Sequence, residues 1–364
     1  MLAVAYDAFA GPLEIRELPD PRVPPGGAVI RVEATGVCRS DWHGWQGHDP
    51  DIRAFPHVPG HELAGTVEEV GAGVAGVAGV RPGDRVTVPF VCACGRCPSC
   101  QAGDQQVCEA QTQPGFTHWG SFAHLVAIEA AEVNLVRLPD EMAFTTAAAL
   151  GCRFATAFRA VLAQGRVRAG EWAAVHGCGG VGLSAVMVAA AAGARVVAVD
   201  VSPQALELAR RCGASAVVDA AAHDDVAGAV REAARGGAHV SLDALGSPAT
   251  ARASVESLRR RGRHVQVGLL PPGAGRADLP MDRVIGWELE IVGSHGMAAH
   301  AYGPMMELVR AGTLRPDLLV GRVLALDDAP AALAAMSGAG ITVIEPQRRR
   351  PPGDGSGRVQ GARA

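Results

Sequence analysis

Cys94, Cys97, Cys100 and Cys108 form a C-x2-C-x2-C-x7-C run. Thiolates at these intervals can converge on one tetrahedral zinc ion, because each short gap lets the backbone fold around the metal. A zinc finger would need a second ligand pair about a dozen residues downstream, and only Cys108 follows. Disulfides within so compact a run would close short, strained loops. Four protein ligands leave no open position, so the expected metal is structural and the chemistry lies elsewhere.

A second constellation is Gly177-Cys178-Gly179-Gly180-Val181-Gly182, placed between a predicted strand at Trp172–His176 and an Ala-rich helix ending near Gly193. In that context the glycines read as a dinucleotide turn rather than a purely structural one. Gly177 allows the tight turn, Gly179 lets the backbone approach a pyrophosphate, and Gly182 lets helix and strand pack closely. Gly180 and Val181 open the helix, whose free N–H groups suit phosphate. Asp200 ends the next predicted strand, 23 residues beyond Gly177. Its carboxylate would bind ribose hydroxyls and repel a 2′-phosphate, and no arginine follows at Val201 or Ser202, so NAD is expected over NADP.

Outside these motifs remain Cys38, Cys92, Cys152, Cys178 and Cys212. A lone cysteine is ordinarily a small buried apolar side chain, and Cys92, Cys178 and Cys212 are read so, although Cys92 is close enough to the four-cysteine run to rival one of its ligands. Cys38 and Cys152 have more specific neighbours: Gly36-Val37-Cys38-Arg39-Ser40-Asp41-Trp42-His43, then Pro59-Gly60-His61-Glu62, and Leu150-Gly151-Cys152. In these residues, in the four-cysteine run and in the glycine turn, all in the same order, the chain resembles the medium-chain zinc-dependent alcohol dehydrogenases over residues 1 to about 346.

The resemblance implies a catalytic zinc held by Cys38, His61 and Cys152, with its remaining position open to water or the substrate oxygen. Two thiolates and a neutral imidazole offset the ion's charge. It would still lower the pKa of an alcohol enough for the alkoxide to pass hydride to NAD. Ser40 and His43 match a relay that carries the alcohol proton through the coenzyme ribose to a surface imidazole, a task suited to a pKa near neutrality. Asp41 and Glu62 match carboxylates behind the ligands, one of them, Asp41, fixing the His61 tautomer. Thr156 matches a contact on the nicotinamide side and Arg39 a pyrophosphate contact, and Val267 is a further coenzyme-binding candidate. The resemblance also implies homodimers or homotetramers.

Two departures stand out. Arg153 follows the third ligand where many relatives carry a small residue, placing a bulky cation near the cofactor or substrate cleft. Gly340-Ile341-Thr342-Val343 lacks an arginine that some relatives use on the pyrophosphate. A polyol dehydrogenase of the same superfamily would carry glutamate where Cys152 stands, and a zinc-free reductase would have no use for these ligands. A zinc sensor or binding protein on the same scaffold is the alternative outside enzymes. Trp42, Trp45, Phe90, Phe116, His118 and Trp119 sit on segments that could line a cleft for a primary or aromatic alcohol, and ordinary core packing explains them equally well.

The elements that must position these groups follow from texture. Short β runs cut by Gly and Pro, at Ala28–Ala34, Gly65–Val70 and Arg85–Pro89, predict an irregular β-rich region, which the resemblance makes a GroES-like catalytic domain of residues 1–153. After Gly151 strand and helix alternate, with strands expected at Trp172–His176, Arg195–Asp200, Ala216–Val218, Val240–Leu245, His264–Val267 and Glu290–Gly293. Ser202 and Pro203 are expected to open a helix reaching Cys212. This rhythm predicts a doubly wound parallel sheet, a Rossmann domain at 154–294 and hence an α/β protein. Residues 295–346 are expected to return to the first domain, and 347–364, rich in Arg, Pro and Gly, to be a disordered tail.

The chain has 364 residues, which suits about two domains, and 48% hydrophobic content suffices for their cores. All 33 basic residues are arginine. Schiff-base lysines, P-loop lysines and Tyr-x-x-x-Lys pairs are thereby excluded. A net charge of −4 offers nothing to nucleic acid or to an anionic membrane. The absence of a long apolar run or leader-like N-terminus leads to the expectation of a cytoplasmic protein.

Overall fold

The computed structural model describes residues 1–74, 79–270, 275, 277–336 and 338–348. The expected tail lies outside these residues from position 349 onward. Two sheets organise the chain. The first is mixed and centres on Ala28–Val37, which pairs antiparallel with Glu62–Val70, Leu125–Ile128 and Ile341–Glu345. Val320–Ala325 extends it on one side, and Arg85–Thr87 with Val136–Arg137 on the other. Almost every residue of Ala28–Val37 is buried, which is why its sequence is nearly continuously small and apolar.

The second sheet is parallel, in the order Ala216–Asp219, Arg195–Asp200, Trp172–His176, Ala238–Asp243, Leu258–Gln266, Glu290–Gly293. The chain moves outward from Trp172–His176 to one side and later resumes on the other. That reversal leaves a crevice beyond the carboxyl ends of Trp172–His176 and Ala238–Asp243. The helix Gly180–Ala191 covers this sheet with a face of Leu183, Val186 and Met187 packed into the main core. The α/β class and the β-rich plus parallel-sheet architecture are as the sequence predicts.

Several boundaries differ. Leu258–Gln266 begins well before the expected His264, because Arg259, Arg260 and Arg261 are exposed and their charge hides the strand. Glu62–Val70 begins earlier than Gly65 because Glu62, charged in sequence, is fully buried. Ser202 does cap its helix, its hydroxyl accepting from the Ala205 N–H at 3.3 Å. Among the described residues no helix is long and apolar enough to cross a membrane.

Candidate active site and metal centres

Register explains why two distant segments meet. Gly36 stands opposite Glu62 in the antiparallel pair Ala28–Val37 and Glu62–Val70, so Cys38, just past one strand, lies beside His61, just before the other. Cys38 caps the helix Arg39–Trp45, and Asp41 closes the cap by accepting the Cys38 N–H at 2.9 Å. The same carboxylate accepts the Gly60 N–H at 3.1 Å and pairs with His61 Nδ1 at 2.7 Å. Cys152 arrives from a π-helical stretch, Leu150–Phe154, a local widening frequent at functional sites. The carbonyl of Gly151 is fixed by the Phe90 N–H at 3.0 Å and the Tyr302 hydroxyl at 3.3 Å.

Donor atoms of Cys38, His61, Glu62 and Cys152 all lie within 4.8 Å of one another. Because Asp41 takes Nδ1, the buried Nε2 of His61 is the ring's remaining nitrogen, and it has no hydrogen-bond partner. A buried polar atom left so costs about 1–3 kcal/mol, and a metal among two thiols and an imidazole would satisfy it. The electrostatics favour thiolate. Cys38 is held well below the usual thiol range, first by the Cys152 thiol and then, against burial, by His61 and Arg153. Cys152 is driven up by the Cys38 sulfur and by burial. Two sulfurs sharing one negative charge in this way suit a zinc site, where both become thiolates.

Glu62 does not face open space. Its Oε1 accepts from the Arg153 N–H at 3.0 Å and from Nε at 2.8 Å, and its Oε2 pairs with Nη2. The bulky cation expected near a cleft is therefore buried against Glu62, with Arg153 only 7% exposed.

The four-cysteine lobe supplies the second group of candidate ligands among the described residues. Sγ of Cys97 lies 3.5 Å from that of Cys100 and 3.7 Å from that of Cys108. A tetrahedron with Zn–S of about 2.3 Å has edges of about 3.8 Å, whereas a disulfide needs about 2.05 Å. All nine cysteines are free. Cys97 is lowered to about 6, chiefly by the backbone N–H groups of Cys100 and Glu109, and thus prefers the thiolate a metal needs. Cys92 stays apart, its Sγ 3.6 Å from the Pro89 carbonyl and its pKa pushed up to about 12 by burial. It is not a rival ligand.

At the glycine turn, Gly177 has φ +91°, a conformation that favours glycine. A Cβ on Gly182 would come within 1.7 Å of the Gly177 carbonyl, while one on Gly179 would meet nothing within 4 Å. Packing thus requires Gly182, whereas the space above Gly179 is open to a ligand. Asp200 holds the turn: its Oδ2 accepts the Cys178 N–H at 2.6 Å and its Oδ1 the Ser202 N–H at 2.9 Å. Val267 donates its N–H to the Asp243 carbonyl at 3.0 Å. Thr156, one turn beyond Cys152, is buried with an unpartnered hydroxyl.

Ser40 and His43 share one face of the helix Arg39–Trp45, as residues three apart do. The Ser40 hydroxyl is 3.9 Å from Cys38 Sγ. His43 Nδ1 lies 3.0 Å from His48 Nδ1, and Arg39 sits 5.5 Å over the Trp42 ring. A cleft of about 900 Å³ is bounded by Asp51, Arg53, Gln106, Cys108, Phe116, His118, Trp119 and His295 among others; Cys38, His61 and Cys152 do not line it, and Phe116 is its link to that centre. The Phe116 ring stands 5.4 Å from the His61 ring, and Phe90 6.2 Å from it. Trp42 and Trp45 are not on this cleft; they pack against Val4, Phe122 and Leu333. His295, Gln106 and Arg53 were not expected there. Only the isolated Ser294-His295-Gly296 after the edge strand offers a signal.

Comparison with known proteins agrees with this geometry. The profile described as alcohol dehydrogenase GroES-like domain matches residues 24–140, and that described as zinc-binding dehydrogenase matches 180–311. An alcohol dehydrogenase of Geobacillus stearothermophilus is 38% identical over 272 residues, 74% of this chain and 78% of that protein. The chain belongs to the zinc-binding alcohol dehydrogenases. Solved structures of the family superpose on most of it. Alcohol dehydrogenase TADH from Thermus sp. ATN1 matches with TM-score 0.85 and 31% identity over 95% of this chain and 99% of that one. A protein described as NAD-dependent alcohol dehydrogenase matches with TM-score 0.84 and 30% identity over 95% and 99%. This family member is accordingly an oxidoreductase acting on alcohols, of the zinc-binding dehydrogenase type.

Proposed function

We propose that the chain oxidises an alcohol to an aldehyde or ketone, or runs the reverse reduction, with NAD as hydride partner at a metal centre of Cys38, His61 and Cys152. The observation that carries this reading is the unpartnered His61 Nε2, buried between two thiols and tethered through its other nitrogen to Asp41. When bound there, zinc supplies the Lewis acidity that makes an alcohol oxygen acidic near neutral pH, and NAD accepts the hydride.

The protein's own groups do the rest. Asp41 holds His61 in the Nδ1–H tautomer, which leaves the lone pair of Nε2 available to a metal. Phe90 and Phe116 wall the ring and exclude water. Gly179 and the N-terminus of Gly180–Ala191 would receive pyrophosphate, with Arg39 as a further candidate cation for it. Asp200 accepts the ribose hydroxyls and discriminates against a 2′-phosphate. Ser40 would take the substrate proton and His43 would pass it on to solvent. The four-cysteine centre holds its lobe and takes no part in the reaction. Residues 1–153 with 295–346 would form the catalytic domain and 154–294 the coenzyme domain.

An alcohol carrying deuterium at its carbinol carbon, incubated with NAD, tests this. Deuterium recovered on the reduced nicotinamide is expected; its appearance in solvent instead would refute direct hydride transfer.

A further inference from the structure

Glu62 is the fourth donor of the metal group, and nothing in the fold removes it from reach: its oxygen lies within 4.8 Å of the Cys38, His61 and Cys152 ligand atoms. A carboxylate that joined two thiolates and an imidazole would complete four-coordination and close the centre, as in structural sites. Something must therefore hold Glu62 back.

Arg153 does so by three contacts. Its backbone N–H and Nε reach Oε1, and Nη2 reaches Oε2, a two-pronged grip that only a planar guanidinium provides. The fold has made room for it on both sides. A Cβ on Gly36 would fall 2.2 Å from Glu62 Oε2 and 2.8 Å from Arg153 Nη2. A Cβ on Gly180, the first residue of the dinucleotide helix, would fall 2.3 Å from Arg153 Cδ and 3.3 Å from Nη1. The arginine thus lies between the metal group and the helix start of the coenzyme turn. We propose that Arg153 is a positioning residue that keeps Glu62 off the metal, so that the remaining coordination position stays open to substrate, and that its location against Gly180 ties this state to the coenzyme turn. The inference rests on the metal centre proposed above.

Cobalt(II) in place of zinc at this centre gives a visible spectrum that reports the ligand set, and added imidazole reports whether a position is open. In the unmodified protein imidazole should shift the spectrum. In Arg153→Met the released Glu62 should occupy that position, so the starting spectrum differs and imidazole no longer shifts it. In the double variant Arg153→Met with Glu62→Gln the imidazole response should return. Arg153→Lys, the gentler change, should respond at an imidazole concentration at least tenfold higher, since a point charge cannot grip both oxygens, and it carries the test if Arg153→Met does not fold. An unmodified spectrum and response in the Met or Lys variant would overturn the inference. Failure of the unmodified protein to take up cobalt outside the four-cysteine lobe would instead overturn the metal centre itself.

Discussion

Asp41 Oδ1 lies 2.7 Å from Nδ1 of His61, and both side chains are completely inaccessible to solvent. The same carboxylate holds the backbone N–H groups of Cys38 and Gly60, so one side chain registers two ligand segments that come from different strands. His61 responds accordingly. Burial works against its charge, yet the Asp41 carboxylate and the Cys38 sulfur outweigh it and raise the imidazole well above its ordinary value. With no metal bound, the site therefore tends to hold a proton where the metal would go.

Asp41→Asn keeps the shape but removes the charge and replaces an acceptor with an amide. Zinc affinity at the catalytic centre should fall about 10- to 100-fold, measured by competition with a chromophoric chelator. The four-cysteine centre, which Asp41 does not touch, should keep its affinity; equal weakening of both would show general destabilisation instead.

Asp200, proposed to hold the coenzyme ribose, also anchors the N–H of Cys178 in the glycine turn. Asp200→Gly should weaken NAD by roughly tenfold and weaken NADP less, shifting the ratio of their kcat/KM values toward NADP. An unchanged ratio would show that the carboxylate serves only the turn.

The proposed relay predicts a pH signature. His43 is lowered from its ordinary value, first by burial and then by the neighbouring charges of His48 and Arg39. A depressed pKa keeps the proton-accepting imidazole present to more acid pH, so alcohol oxidation should lose this group's help only below about pH 6.5. His43→Gln should cost up to about 100-fold in kcat/KM at neutral pH, with the loss shrinking as pH rises and hydroxide takes over. A loss independent of pH would remove His43 from the proton path.

Short-range chemistry was largely readable in the residues. The glycine turn and the four-cysteine lobe announce themselves through spacing, because each is closed by residues a few positions apart. What was not legible depends on strands meeting. Nothing local in Gly36 or Glu62 says that they stand opposite one another, and so nothing says that Arg153, 91 positions beyond Glu62, would be buried on it. Arg153 read alone is a cation at a cleft; the fold makes it half of a buried pair. Likewise Arg259 to Arg261 fall outside the strand expected at His264–Val267 although they belong to Leu258–Gln266 of the parallel sheet. Trp42 and Trp45 read equally as cleft or core residues, because aromatic side chains suit both, and only the packing against Val4 and Phe122 decides.

The most direct measurement combines metal analysis with alcohol-dependent reduction of NAD, on the unmodified protein and on Cys152→Ser. The unmodified protein should hold about two zinc ions per chain, one for each donor group, and be active. The variant should keep the zinc of the four-cysteine lobe, lose the other, and lose activity with it. Full activity in protein carrying zinc only in the lobe, or a Cys152→Ser variant that retains both metals and full turnover, would contradict the assignment.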